Sequence, residues 1–476
     1  MRKLQILIIS LLIAANAVAQ TIEPCPCKVT FEEGLEGKCG YLVVPENRAK
    51  PNRRQIKIPF IYVRNPEIPE KNVTIYSTGG PGYSTIDNYT KINKSFAFLK
   101  FGSYIAFNQR GTKSSIPCLE CPEVNEAIKK SYQYSLNKDS LVNAATTVCR
   151  KRLAKEGIDL SAYTTYESAA DISDLIKTLQ LDSVVLFGVS YSGGLMHSVA
   201  NLYPNRIKGL LLGSPLPSFT NYEEHALFSH QHALDIIFEK VNADSSWKRQ
   251  YPNLKSRFEG YFASITDRKF SFNYTPESET TAYSITYTKH ELLSQLIDHI
   301  TTNSWKKVPE MLENMMAGKH QPYVEDYLRN VWRGNQWIAH GERFSVYCSG
   351  QIAFMDKKLM AKQTDLMPWW QGFQFNSPTP AMCDCWQVNP EPKVQKQAVL
   401  TNIPALIVTG ELDPYCPVYY NRLMMQTMPH AQSFVIKNQG HVPSLMVDGF
   451  ELPKYFFENP HRKIIPSTPN IVVEGH

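Results

Sequence analysis

Short apolar runs that end at a glycine or a polar residue recur along this chain, at Val73–Tyr76, Tyr104–Phe107, Val184–Phe187, Gly209–Leu212, Ala405–Val408 and Phe434–Ile436. Runs of three or four residues with this punctuation predict buried strands. Between the second and third runs, Ile172, Leu175, Ile176 and Leu179 repeat at i, i+3, i+4 and i+7 and predict a helix with one buried face. Strands alternating with helices imply a mostly parallel sheet with helices on both faces. From about residue 215 to 400 the strand rhythm gives way to helical stripes such as Leu293, Leu296, Ile297 and Ile300, or Trp305, Val308, Met311, Leu312 and Met315. The predicted organisation is therefore a core over 20–214 and 401–476, interrupted by a mainly helical cap at 215–400. After about residue 445 the Pro-rich, weakly patterned chain is expected to form a tail packed on the core.

With 476 residues, 43% hydrophobic and 20% charged, the chain can bury a large core. Its formal charge of +6 is spread without a dense Lys/Arg run, which argues against nucleic acid as a partner. Residues 1–19 read as a secretory signal: Arg2 and Lys3, an apolar stretch from Leu4 to Ala15, and Ala17-Val18-Ala19 as the cleavage site. The apolar stretch is shorter than the ~20 residues of a spanning helix, so no membrane span is expected after its removal. An exported, periplasmic or extracellular protein can oxidise its cysteines. The ten fall into three clusters, Cys25/Cys27/Cys39, Cys118/Cys121/Cys149 and Cys348/Cys383/Cys385, with Cys416 apart, and one local bridge is expected in each cluster. A zinc site is not expected: the two Cys-x-Cys pairs lack the usual spacing and companion histidines. His230-Gln231-His232 is assigned to a solvated helix face, because alternate positions diverge on a helix. No metal or cofactor is predicted.

Gly188-Val-Ser-Tyr-Ser-Gly-Gly194 follows the third apolar run and precedes a predicted helix at 193–203. This is the setting of a nucleophile elbow, in which a sharp turn exposes a serine, here Ser190. A serine hydroxyl needs a base, and the base an orienting acid. Asp413, in Gly-Glu-Leu-Asp-Pro after the fifth run, and His441, in Gln-Gly-His after the sixth, complete that order. Both stand just beyond the carboxyl ends of predicted strands, where parallel sheets gather functional residues. Thr78-Gly-Gly-Pro-Gly82 ends the first strand, and its Gly80 N–H, with the Tyr191 N–H, is the predicted oxyanion donor pair.

These segments resemble the exported α/β-hydrolases of the proline iminopeptidase and tripeptidyl aminopeptidase family, including their C-terminal region. The resemblance runs through TGGPG (78–82), NQRGTKSS (108–115), YTTYESAADISDL (163–175), GVSYSGG (188–194), FSVYCSGQIAF (344–354), CDCW (383–386), TGELDPYCP (409–417) and NQGH (438–441). It implies an α/β-hydrolase fold and hydrolysis of short peptides from their free amino end through an acyl-enzyme on Ser190. Three positions depart from the family pattern. Ser192 stands where a glycine is usual, Asn108 where an aspartate opens DQRG, and Gly350-Gln351 where relatives carry an acidic pair. An aminopeptidase must bind an ammonium group, and Glu223, Glu224 and Glu342 are the remaining candidate carboxylates. A carboxylesterase would use the same triad without an ammonium anchor, and a binding protein could keep the fold alone; oligomeric state is open.

Overall fold

The computed structural model describes residues 20–26, 28–376 and 378–475; the predicted signal segment at 1–19 lies outside them. Ten strands form one sheet: β1 (Thr21–Pro24), β2 (Glu36–Pro45), β3 (Gln55–Arg64), β4 (Val73–Ser77), β5 (Ser103–Phe107), β6 (Val184–Val189), β7 (Ile207–Gly213), β8 (Ala405–Gly410), β9 (Ala431–Ile436) and β10 (Ile471–Glu474). Their order is β1-β2-β3-β5-β4-β6-β7-β8-β9-β10. From β5 to β9 every pairing is parallel. All six predicted strands lie in this central stretch. The hairpin β2–β3 and β1 add antiparallel strands at one edge. The C-terminal segment is not merely a tail: β10 pairs antiparallel with β9 and closes the other edge.

Alternation along the strands sends side chains to two buried faces. Val184 and Leu186 pack with Ile75, Leu210 and Ile407 against helices α3 (Thr165–Thr178) and α4 (Tyr191–Leu202), which follow α1 (Pro122–Gln133) and α2 (Lys138–Lys155) in the chain. Val185 and Phe187 face the other way, with Leu406, Val408 and Phe434, against Leu452 and Phe456. This is the α/β architecture with both faces covered. Over 215–400 the chain is mainly helical and includes α5 (Lys289–Thr301), α6 (His340–Gly350) and α7 (Pro380–Trp386), with one hairpin, Phe270–Tyr274 paired to Tyr283–Tyr287. Its apolar stripes form a core of their own, joined by Tyr132 of α1. The α1–α2 pair also packs against Phe344, Met382 and Trp386 of α6 and α7.

Two disulfides reinforce these helices, Cys121–Cys149 between α1 and α2, and Cys348–Cys383 between α6 and α7. Both fall within the clusters expected to bridge, and Cys39 of the first cluster is also disulfide-bonded. Cys383 is thereby unavailable to a Cys-x-Cys metal pair. His230 departs from expectation: it is fully buried among Trp370, Phe373, Phe375 and Tyr415, with Nδ1 on the Ala226 carbonyl, while His232 is exposed. Burial pushes the His230 imidazole down to about 4, so it stays neutral inside an aromatic cage.

The loop after β5 is tied to α3 by a buried ion pair. Arg110 Nε and Nη2 each donate at 2.7 Å to the two oxygens of Asp171, and Nη1 donates to the carbonyls of Glu46 and Ala162. Arg48 adds contacts of 2.6 Å to Asp171 and 2.7 Å to Asp174. Burial alone would raise the Asp171 carboxyl, but Arg110 and Arg48 hold it below the usual carboxylate range. Its stabilising effect is therefore complete above the unfolded-state value near ~4 and lost as pH falls below it. Asp171→Ala leaves Arg110 buried and uncompensated, and urea unfolding at pH 7 is predicted to show a loss of about 3–5 kcal/mol.

Candidate active site

Ser190 joins β6 to α4 with φ 57° and ψ −127°, a backbone region that non-glycine residues rarely occupy. Backbone bonds hold the turn: Ser190 N–H donates to the Gly213 carbonyl at 2.9 Å, and the Ser190 carbonyl accepts from Gly193 and Leu216 N–H groups at 3.0 Å. Because α4 begins at Tyr191, its N–H is one of the donors a helix start leaves without an intrahelical partner. The predicted oxyanion turn presses on the elbow from β4. A Cβ on Gly79 would lie 2.7 Å from the Val189 carbonyl oxygen and 2.8 Å from Ser190 Cβ, so only glycine allows this approach.

Asp413 follows β8 with its carboxylate buried. Oδ1 accepts from the Tyr415 and Cys416 N–H groups at 2.9 Å, which fixes the side chain. His441 Nδ1 donates to Asp413 at 2.9–3.0 Å, leaving Nε2 as the basic nitrogen, while the Tyr415 ring meets the imidazole edge-on. The next residue, Val442, has φ 55°, strained for a β-branched side chain, and its N–H is held by Ser214 Oγ at 2.9 Å. Ser190, Tyr191, Cys416 and His441 line one cavity of about 1110 Å³, together with Gly79 and Gly80. The Ser190 hydroxyl interacts there with the buried Cys416 thiol, and no Ser190–His441 hydrogen bond forms among the described residues. Proton transfer therefore requires that hydroxyl to come within hydrogen-bond reach of His441 Nε2.

The candidate ammonium anchors separate. Glu224 serves its own loop, accepting from Asn221 Nδ2 at 3.0 Å and Asp356 N–H at 2.6 Å. Glu342 is fully buried, does not line the cavity, and has no partner on either oxygen; burial pushes its carboxyl up to about 8. Glu223, also buried behind the lining and pushed up to about 7, reaches the cavity only through Asn376, whose Nδ2 donates to it at 3.1 Å and which does line the cavity. Sequence reasoning passed over three polar groups of the wall: Arg343, which immediately precedes the 344–354 stretch, and Asn376 and Asp298, which sit singly with no motif around them. It also missed Glu391, whose carboxylate fills the space beside Gly350: a Cβ there would lie 2.6 Å from Glu391 Oε1.

Two departures from the family pattern have local explanations. Ser192 Oγ accepts from Val189 N–H at 2.8 Å and donates to the Ser77 carbonyl at 2.6 Å, stitching the elbow to β4. Asn108 Oδ1 accepts from Thr85 and Ile86 N–H groups at 2.8 and 2.9 Å, and its Nδ2 donates to the Lys113 carbonyl at 2.6 Å. An aspartate could take the first role but not the second.

An alpha/beta hydrolase fold model matches residues 75–445 of this chain. Tripeptidyl aminopeptidases of Streptomyces lividans and Streptomyces coelicolor are 25% and 24% identical to it over 217 residues, 42% of this chain. The match spans 39% of the length of those relatives. Among solved structures, the N-acyl homoserine lactone degrading enzyme Est816 is similar at 15% identity and TM-score 0.34, covering 85% of this chain and 95% of its own. A thermophilic esterase from Thermogutta terrifontis is similar at 13% identity and TM-score 0.36, covering 88% and 95%. Replacing Ser192 with glycine removes both hydroxyl bonds and leaves the buried Val189 N–H unpaired, so Ser192→Gly is predicted to lose about 1–3 kcal/mol in urea unfolding.

Proposed function

This chain belongs to the alpha/beta hydrolase family, and on that premise we propose that it is an exported serine aminopeptidase that cleaves short peptides from their free amino end. The observation that carries the reading is the Asp413–His441 pair opening, with Ser190, onto one cavity. In this reading Ser190 Oγ attacks the scissile carbonyl while His441 Nε2 takes its proton, and Asp413 holds the imidazole in the tautomer that leaves Nε2 free. Negative charge develops on the carbonyl oxygen, where the Gly80 and Tyr191 N–H groups stabilise it. Collapse expels the amine, which His441 protonates, and a water molecule then releases the acyl group from Ser190 by the same relay. The cavity exceeds the usual range of small-ligand pockets, about 300–1,000 Å³, and suits an extended short peptide.

The names of the two relatives support a peptide substrate, and among the candidate acids Glu223 best fits the ammonium anchor. A carboxylate without solvent favours its protonated form, and an arriving ammonium reverses that preference by pairing with it. Export is supported by the disulfides of α1–α2 and α6–α7. No helix among the described residues is long and apolar enough to cross a membrane.

Purified protein assayed on tripeptidyl and aminoacyl amides, on the same peptides with blocked amino ends, and on aryl esters tests the reading. Free peptides are predicted to be cleaved well above blocked ones, with Ser190→Ala losing turnover and phosphonate labelling and Asp413→Asn losing about 10⁴-fold in kcat. Equal cleavage of both peptide sets would overturn the aminopeptidase reading, and cleavage of esters alone would favour an esterase instead. Glu223→Gln is predicted to raise KM for free peptides and leave ester KM unchanged. In the unsubstituted protein the free-peptide KM should fall as pH rises through about 7, as Glu223 ionises, and rise again near ~8 as the substrate amine loses its proton.

A further inference from the structure

Arg343 is a cation of the cavity wall that the chemistry above leaves unused. It stands on α6 between His340 and Tyr347, which line the same cavity. Its Nη1 donates to the Gly80 carbonyl at 2.8 Å and the Pro81 carbonyl at 3.4 Å, and its Nη2 donates to Asn376 Oδ1 at 2.7 Å. The guanidinium also lies 4.9 Å from the centre of the Tyr347 ring. All three hydrogen-bond acceptors are neutral, and Arg343 forms no ion pair among the described residues. Its nearest acidic influences, Glu223 and Glu342, are pushed by burial to about 7 and about 8, so near neutral pH neither offers a full counter-charge. A half-buried guanidinium without a counter-ion stabilises negative charge that appears nearby.

The oxyanion turn is also gripped mechanically by the same helix. Ala339 N–H, at the start of α6, donates to the Gly82 carbonyl at 2.9 Å, and Tyr83 pairs with Ile338 as an antiparallel bridge. A Cβ on Gly82 would lie 2.8 Å from Ile338 Cγ1 and 3.3 Å from Arg343 Cβ. The turn that carries Gly80 thus has the elbow on one side, through Gly79, and α6 on the other.

We propose that Arg343 is a positioning residue of the hydrolytic site: by donating to the Gly80 and Pro81 carbonyls it sets the orientation of the Gly80 N–H and places a positive charge behind the developing oxyanion. A helix from the 215–400 segment therefore completes an oxyanion hole that the central sheet only begins. This inference rests on the reading of Ser190 as the nucleophile. Because the oxyanion forms in ester and peptide hydrolysis alike, the effect of Arg343 on kcat is expected with either leaving group, and an aryl ester, which has no amine for Glu223, reads it apart from the Asn376–Glu223 contact.

The test uses the full-length protein and its Arg343→Gln, Arg343→Lys and Asn376→Ala variants. Arg343→Gln is expected to lower kcat about 10- to 100-fold on both an aryl ester and a free peptide, with KM changed less than about threefold. Phenylboronate, which becomes a tetrahedral anion on a serine, should lose affinity by a similar factor. Arg343→Lys should recover part of kcat, and Asn376→Ala, which leaves the charge but frees its orientation, should fall between. If Arg343→Gln does not fold, as judged by circular dichroism and melting temperature, the Asn376→Ala values for kcat and phenylboronate affinity decide. Unchanged kcat and phenylboronate affinity in the folded variants, or an effect confined to KM, overturns the inference. Absence of ester turnover and of phosphonate labelling at Ser190 in the unsubstituted protein overturns instead the underlying reading of the nucleophile.

Discussion

A single backbone conformation governs the architecture of this site. At Ser190 the chain turns from strand into helix through positive φ, and a residue with a Cβ tolerates that geometry only when its surroundings over-determine it. Those surroundings are the β7 carbonyl that accepts from Ser190 N–H, the Ser192 hydroxyl that spans Val189 and Ser77, and the bare backbone of Gly79 lying against the turn. The same conformation aims the side chain into the cavity and leaves the Tyr191 N–H at an open helix start. The proposed nucleophile and one proposed oxyanion donor are thus two products of one turn.

Asp413 and His441 follow a different logic, since each sits in a loop beyond a strand and must be immobilised there. Backbone N–H groups fix Asp413, Asp413 fixes His441, and the strained Val442 is held by Ser214 at the end of β7. Strain at Ser190, Ser214 and Val442 is concentrated where three parallel strands end. Such strain costs about 1–3 kcal/mol per residue and persists because the sheet beneath is close-packed on both faces. The Arg110–Asp171 pair performs the matching service for the loop after β5, where Asn108 in turn supports residues 85 and 86 beyond the oxyanion turn.

The central parallel strands were legible because strands buried on both faces become short, wholly apolar runs. β2 and β3 were not, although each spans ten residues: Lys38, Lys57 and Pro59 interrupt them, as antiparallel strands near a sheet edge permit. β10 escaped for the same reason, with only four residues and Val472 and Val473 exposed. The Asp413–His441 pair and the Ser190 turn could be read because each residue follows a strand and sits in a recognisable motif. The rest of the cavity wall could not, since Arg343 and Asn376 act through contacts 263 and 33 residues away in sequence. His230 shows the converse limit: a polar residue on a helix was assigned to solvent when neighbouring segments supply four aromatic rings to enclose it.

The placement of the disulfides divides the molecule unequally. Cys121–Cys149 and Cys348–Cys383 both fasten helices that flank the cavity, whereas the strands from β4 to β9 contain no cysteine. The strands from β4 to β9 owe their cohesion to packing and hydrogen bonds, which thiols do not touch, while the helices beside the cavity also carry covalent staples. In a reducing milieu the helices beside the cavity would therefore loosen before the central strands do.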